Sequence, residues 1–429
     1  MKAGIVFLLI TICSWNVVGQ KILLKNGYLH VGNGSVISSA VVGIEKEKII
    51  LVKNNLAYSY SVSDWDTIID LKGAHIYPGF IAANSTLGLT EIDAVNATND
   101  FEEIGMFNPH VRAKVAFNVE SEVIKTVRTN GVLMAQATPR GNRITGTSSV
   151  FYLDGWNWED ACAFADDGIH INWPSSIKRS KTNRHVHEGS TSYEREKQEL
   201  IEFFRSANVY AGNKKCDNDL RFAATAGIFN GNKRVYFRAD GLQEINDIID
   251  FCQNFQIKTG VIVGGYDAPL LARKLKDAKI AVMLMRPHSL PLRDEDPVYN
   301  PYMLAAKLQS EGVLYCIQNE GDMEAMNARN LPFLAGTAQA FGLTEEEAVM
   351  SISLNVAKII GCDKSHGSVE VGKSATFFFS EGNALDMRTN NVSLAFINGK
   401  CIDLNNRQIE LYKKYKGKYE KQVPSKGKK

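Results

Sequence analysis

Polar residues that follow short apolar runs are the places where this chain could do chemistry. Arg238 and Asp240 close the stretch Arg234-Val235-Tyr236-Phe237-Arg238-Ala239-Asp240, and Glu320 follows Cys316-Ile317-Gln318-Asn319. A carboxylate in such a place serves as a general base when burial raises its pKa, which makes Glu320 and Asp240 the candidate catalytic residues. A guanidinium offers a fixed fork of donors to a carboxylate or another acceptor-rich ligand. Arg238 therefore leads the candidate ligand-binding residues, with Asn84, Arg286, His288, Asn327 and Arg329. The competing assignment is that these groups pair with one another across the strand ends and bind nothing.

Spacing gives metal chemistry little support. Cys162, Cys216, Cys252, Cys316, Cys362 and Cys401 are scattered, with no Cys-x-x-Cys pair, so neither a zinc knuckle nor a disulfide framework is indicated. His185-Val186-His187 has the spelling of a ligand pair, but no buried strand precedes it to hold the two rings. His170 and His288 each follow a strand-like stretch alone, where a hydrogen-bonded structural histidine is the commoner outcome. Gly146-Thr147-Ser148-Ser149 has backbone donors for an anion but neither the spacing nor the lysine of a phosphate loop.

The elements that would position these side chains alternate between buried-strand runs and helical patterns from Pro78 to about Gly367. The strand runs are Gly79–Ala83, Val132–Ala137, Val150–Leu153, Arg234–Arg238, Thr259–Val263, Lys279–Met285 and Val313–Gln318. Leu242–Phe255 has helical spacing, with Ile245, Ile248, Ile249, Phe251 and Cys252 on one side. This succession predicts an α/β fold, a parallel sheet closed as a (β/α)8 TIM-like barrel over 78–367. One strand of the eight is missing, and the gap falls near residues 160–230. That interval holds a polar insertion, Lys178–Arg195, and then a helix with Leu200, Ile201, Phe203, Phe204 and Ala207 at helical spacing. Later in the chain, Thr344 before Glu345-Glu346-Glu347 marks an N-cap with an acidic first turn.

Short strands recur at both ends: Ile22–Leu24, Ala40–Ile44 and Lys48–Val52, then Ala375–Phe379 and Val392–Ile397, with turns at Lys25-Asn26-Gly27 and Asn398-Gly399. They predict one small discontinuous β-sandwich domain built from segments 20–77 and 368–412. The basic tail, 413–429, reads as a solvated end. Residues 1–19 combine Lys2, an apolar run from Ala3 to Trp15, and Val17-Val18-Gly19, the pattern of a signal peptide too short to span a bilayer. A secreted or periplasmic mature chain without a membrane span is expected. The formal charge of +2 on 429 residues gives no case for nucleic acid or an anionic membrane.

The stretch Tyr77-Pro78-Gly79-Phe80-Ile81-Ala82-Ala83-Asn84-Ser85-Thr86-Leu87-Gly88 resembles the start of the barrel in the amidohydrolase superfamily, whose members read Pro-Gly-Phe-Ile-Asp-x-His-x-His there. Gly367–Lys373 is similar to that family's linker into its small domain, and Ala348–Ile360 to its final barrel helix. The likeness is to the imidazolonepropionase-like branch and runs along nearly the whole mature chain. It implies hydrolysis of a non-peptide carbon–nitrogen bond in a small molecule, using zinc or iron to lower the pKa of bound water. At the implied ligand positions this chain has Asn84 and Thr86 in place of two histidines, with Arg238 and Gly264 near the next two. Glu320 lies close to where an aspartate would stand. Arginine and glycine supply no metal ligand, so a chain without the metal cofactor is expected. Three functions follow: a hydrolase with a degenerate metal site, a catalytically inactive exported ligand-binding protein or subunit on the same barrel, or a metal-free hydrolase with Glu320 or Asp240 as general base. A small molecule is the expected partner in all three, and homo- and hetero-oligomers are left open.

Overall fold

The computed structural model describes residues 20–179, 187–212 and 219–420; residues 1–19, His185, Val186, Cys216 and the end of the basic tail lie outside them. Eight strands make a nearly closed barrel sheet: Phe80–Ser85, Val132–Ala137, Ile144–Tyr152, Cys162–Asn172, Arg234–Ala239, Gly260–Gly264, Ala281–Leu284 and Tyr315–Ile317. Seven overlap the apolar runs, although the run Val150–Leu153 marks only the end of strand Ile144–Tyr152. The strand missing from the sequence pattern is Cys162–Asn172, whose apolar alternation is interrupted by Asp166 and Asp167. Asp166 takes a left-handed φ of 55°, and the register against Ile144–Tyr152 slips there, as in a β-bulge.

The sheet departs from an all-parallel (β/α)8 barrel at one place. Ile144–Tyr152 runs antiparallel to both neighbours, because only residues 138–143 connect it to Val132–Ala137, too few for a crossover helix. A second departure closes the barrel floor. The helix expected over Ala348–Ile360 is broken into Glu345–Ser351, which carries the Thr344 capping box with Glu347, and Leu354–Ile360. The break frees the Ile352 carbonyl to accept the Ile81 N–H at 2.9 Å, beside the unpaired edge of the first strand. Val356, Ala357, Ile359 and Ile360 then join inward-facing Ile81, Met134, Tyr236, Val261, Met283 and Cys316 in one buried cluster that fills the floor. The polar side chains are left at the opposite, C-terminal rim.

Both chain ends share a second eight-stranded sheet, joined where Phe377–Ser380 pairs antiparallel with His75–Pro78. Its core includes Leu24, Val42, Ile76, Phe377, Phe379 and Phe396. Phe378 points the other way and meets Phe80 edge to face at 5.0 Å, tying this sheet to the barrel. Asn398-Gly399 forms the expected hairpin with φ of 51° and 75°. Lys25-Asn26-Gly27, expected as a turn, does not reverse the chain: strand Lys21–His30 runs through it, and Asn26, at φ 60°, is absorbed as a register shift. Within the insertion, Ile177–Arg179 pairs with His187–Gly189, and helix Tyr193–Gly212 buries Leu200, Phe204 and Ala207 as its spacing predicts. Among the described residues, no helix is long and apolar enough to cross a membrane.

Candidate functional site at the barrel mouth

Asn84 reaches the rim near the end of the first barrel strand in a left-handed conformation, φ 49°, and is 2% exposed. That turn aims its backbone N–H at Gln136 Oε1, 3.0 Å away, and its side-chain amide at Glu320 Oε2, 2.9 Å away. Arg140, in the connection after the second strand, donates from Nη2 to the Asn84 carbonyl at 2.9 Å and to Glu324 Oε1 at 2.8 Å, and from Nη1 to Asn84 Oδ1 at 3.1 Å. Glu320 is ion-paired with Arg238 and lies 3.8 Å from Arg140 Nε. Two guanidiniums, two carboxylates and one amide thus form a charge-balanced cluster across the mouth. Within it the Glu320 side chain is 9% exposed and that of Arg238 45%, so Arg238 keeps a face toward solvent.

A buried polar layer supports this cluster from below. Asp167 accepts hydrogen bonds from the Tyr236 hydroxyl at 2.6 Å, Gln136 Nε2 at 2.7 Å and Ser148 Oγ at 2.8 Å. Burial outweighs the three donors and pushes the Asp167 pKa up. His170 stacks on Tyr236 with ring centroids 4.4 Å apart, and its Nε2 is 2.9 Å from Ser148 Oγ. Burial, with Arg140 and Arg238 nearby, holds its pKa well below the usual histidine value, so the ring is neutral. Ser148 and Thr147 belong to a buried strand and spend their hydroxyls internally, Thr147 on the Pro109 carbonyl at 2.8 Å, so this stretch is no anion loop.

Two cavities flank Arg238. One, about 620 Å³, is bordered by Thr86, Phe101, Arg140, Glu320 and Glu324; the other, about 550 Å³, by Trp173, Asp240, Glu244, Leu292 and Arg293. Of the residues singled out in the sequence, Arg238, Asn84 and Glu320 meet in the cluster. Arg286 lays its guanidinium over Gly321, next to Glu320. Asp240 stands on the second cavity, where the missing side chain of Gly264 makes room for it: a Cβ there would lie 2.6 Å from Asp240 Oδ1. His288 turns to helix Leu331–Ala340, its Nε2 2.7 Å from Thr337 Oγ1. Asn327 binds the Asp322 carbonyl and Asn330, and Arg329 is exposed. None of these three borders either cavity. Sequence reasoning missed Arg140, Glu324, Gln136 and Asp167; only the place of Arg140, just past a barrel strand, could have drawn attention to it.

Comparison with known proteins places this barrel. No family model matches the chain. Over 59 residues it is 41% identical to an imidazolonepropionase of Pseudomonas fluorescens, a match that spans 14% of this chain and 14% of that protein. An amidohydrolase from Thermotoga maritima superposes with a TM-score of 0.77 at 23% identity, over 89% of this chain and 99% of that one. A prolidase complexed with N-methylphosphonate-L-proline gives 0.55 at 13% identity, over 90% and 100% of the two chains. The architecture is an α/β barrel with a terminal sheet. Its fold is that of the amidohydrolases, as the resemblance at Tyr77–Gly88 indicated.

Proposed function

We propose that this protein binds a small organic acid, or a similarly acceptor-rich molecule, at Arg238, and that the ion-pair cluster has replaced the metal centre of the fold. The observation that carries this reading is the position of Arg238, partly exposed between two cavities at the end of a barrel strand and ion-paired with Glu320. Among the described residues, no group of three or more His, Cys, Asp or Glu is placed to hold a metal ion. The donors at the rim also fit a divalent cation poorly. Both amide atoms of Asn84 are engaged, Gly264 has no donor, His170 is bonded to Ser148, and the guanidiniums of Arg140 and Arg238 repel positive charge. A carboxylate ligand would take the place of Glu320 on the Arg238 fork, with Asn84 Nδ2 as a second donor.

On this reading the chain is an exported ligand-binding protein, supported by Lys2 and the apolar run that follows it; the core shared by the strands of the terminal sheet supports reading that sheet as a β-sandwich folded over on itself. A metal-free hydrolase of small-molecule carbon–nitrogen bonds is the second reading. It is favoured by Glu320, which follows the last barrel strand on the wall of the larger cavity. It ranks second because Arg238, Arg140 and Asn84 occupy the oxygens a base would use. Calorimetry against a panel of small organic acids, run beside an activity screen over cyclic amides on metal-analysed protein, separates the two. Acid binding that weakens about tenfold in Arg238→Lys and vanishes in Arg238→Met, in variants that circular dichroism shows to be folded, is expected. Undiminished binding in Arg238→Met sinks the first reading, and turnover of a cyclic amide by metal-free protein establishes the second.

A further inference from the structure

The small net charge conceals a segregation. Residues 407–429 hold nine Lys and Arg against two Glu, which leaves the first 406 residues with 40 basic and 45 acidic side chains. The positive end is organised: helix Arg407–Glu420 is anchored near its start, where Asn406 Oδ1 accepts the Ile409 N–H at 2.9 Å and Gln408 Oε1 accepts from Thr126 Oγ1 at 3.2 Å. Past that anchor it stands clear of the body. Tyr412, Tyr415 and Tyr419 are 63%, 51% and 60% exposed. At 3.6 residues per turn these three rings fall within an arc of about 60°, and Lys416 and Lys418 flank that arc. Lys416 Nζ lies 5.6 Å from the Tyr412 ring centre, and Lys418 Nζ 5.9 Å from that of Tyr419.

We propose that this helix docks on an anionic lipid surface. A stripe of phenols matches the headgroup level of a bilayer, where the ring body is buried and the hydroxyl stays wet. The flanking lysines extend their stems along the rings and place their charge among anionic headgroups. Charge alone would also suit an acidic macromolecule, but a one-sided aromatic stripe bordered by lysines fits a planar interface better than a groove or a duplex.

The test uses the full chain and sedimentable vesicles of phosphatidylcholine, with and without about one-third phosphatidylserine, at low and high salt. Binding to the mixed vesicles, lost at high salt and absent from neutral ones, is expected. Each lysine near the surface contributes about fivefold, so Lys413→Gln/Lys414→Gln/Lys416→Gln/Lys418→Gln should lower partitioning on the order of a hundredfold or more. Tyr412→Ser/Tyr415→Ser/Tyr419→Ser should lower it by at least about tenfold. Both variants should keep the wild-type melting temperature, because the helix lies outside the core. Absence of wild-type binding, equal binding to neutral vesicles, or full binding by the tyrosine variant overturns the proposal. So does retention on duplex DNA or an acidic protein without vesicle binding.

Discussion

The Tyr236 hydroxyl donates to Asp167 Oδ2 at 2.6 Å inside the barrel, directly beneath the ion pair of Arg238 and Glu320. The two levels are joined through Gln136, whose Nε2 donates to Asp167 while its Oε1 accepts from the Asn84 N–H. Tyr236→Phe removes one of three donors from a buried carboxylate that burial already disfavours as an anion. A loss of about 1–3 kcal/mol in urea unfolding is expected. An unchanged midpoint would mean that Gln136 and Ser148 suffice to hold Asp167.

Glu320 competes with any ligand acid for Arg238. Glu320→Gln removes the competing charge while keeping an acceptor for Asn84 Nδ2, so organic-acid binding should tighten by about tenfold. Titration calorimetry of the two proteins with the same acid measures it. Weaker binding in Glu320→Gln would instead make Glu320 a ligand contact.

Acid should destabilise the fold through His366. Its Nε2 lies 2.8 Å from the Tyr152 hydroxyl and its Nδ1 2.8 Å from Ser365 Oγ, at 6% exposure. Burial, then Lys48 and Lys373, lower its pKa to about 4. The unfolded chain, with a histidine pKa of about 6.5, takes up the proton first as pH falls. The stabilisation is therefore complete above pH of about 6.5 and lost between about 6.5 and 4, by about 3 kcal/mol. Denaturant midpoints across that range should fall less in His366→Asn than in the wild type.

Phe378 is, with Tyr77, an aromatic link between the terminal sheet and the barrel, fully buried against Tyr77 and Phe80. Phe378→Ala should cost about 3–5 kcal/mol and lower the melting temperature. Loss of less than about 1 kcal/mol would show that the sheet and barrel are held together elsewhere.

Much of the frame is decided by neighbours along the chain. The Thr344 cap, the Asn398-Gly399 hairpin and the apolar runs of seven barrel strands were legible because each rests on local propensity or a short apolar period, and Tyr77–Gly88 was legible through its resemblance to a known barrel entry. Asn84, Arg238 and Glu320 were legible as strand-end residues for the same reason. The period of a strand tells which face a side chain takes, but not which distant group it meets there. Cys162–Asn172 was hidden because its bulge at Asp166 breaks that period to turn Asp167 inward. Arg140 and Glu324 entered the cluster, and His288 left it for Thr337, through the conformations of the connecting loops. The tertiary structure alone decided these pairings, since closing the barrel brings charges from distant strands into one poorly hydrated space where each must find a partner.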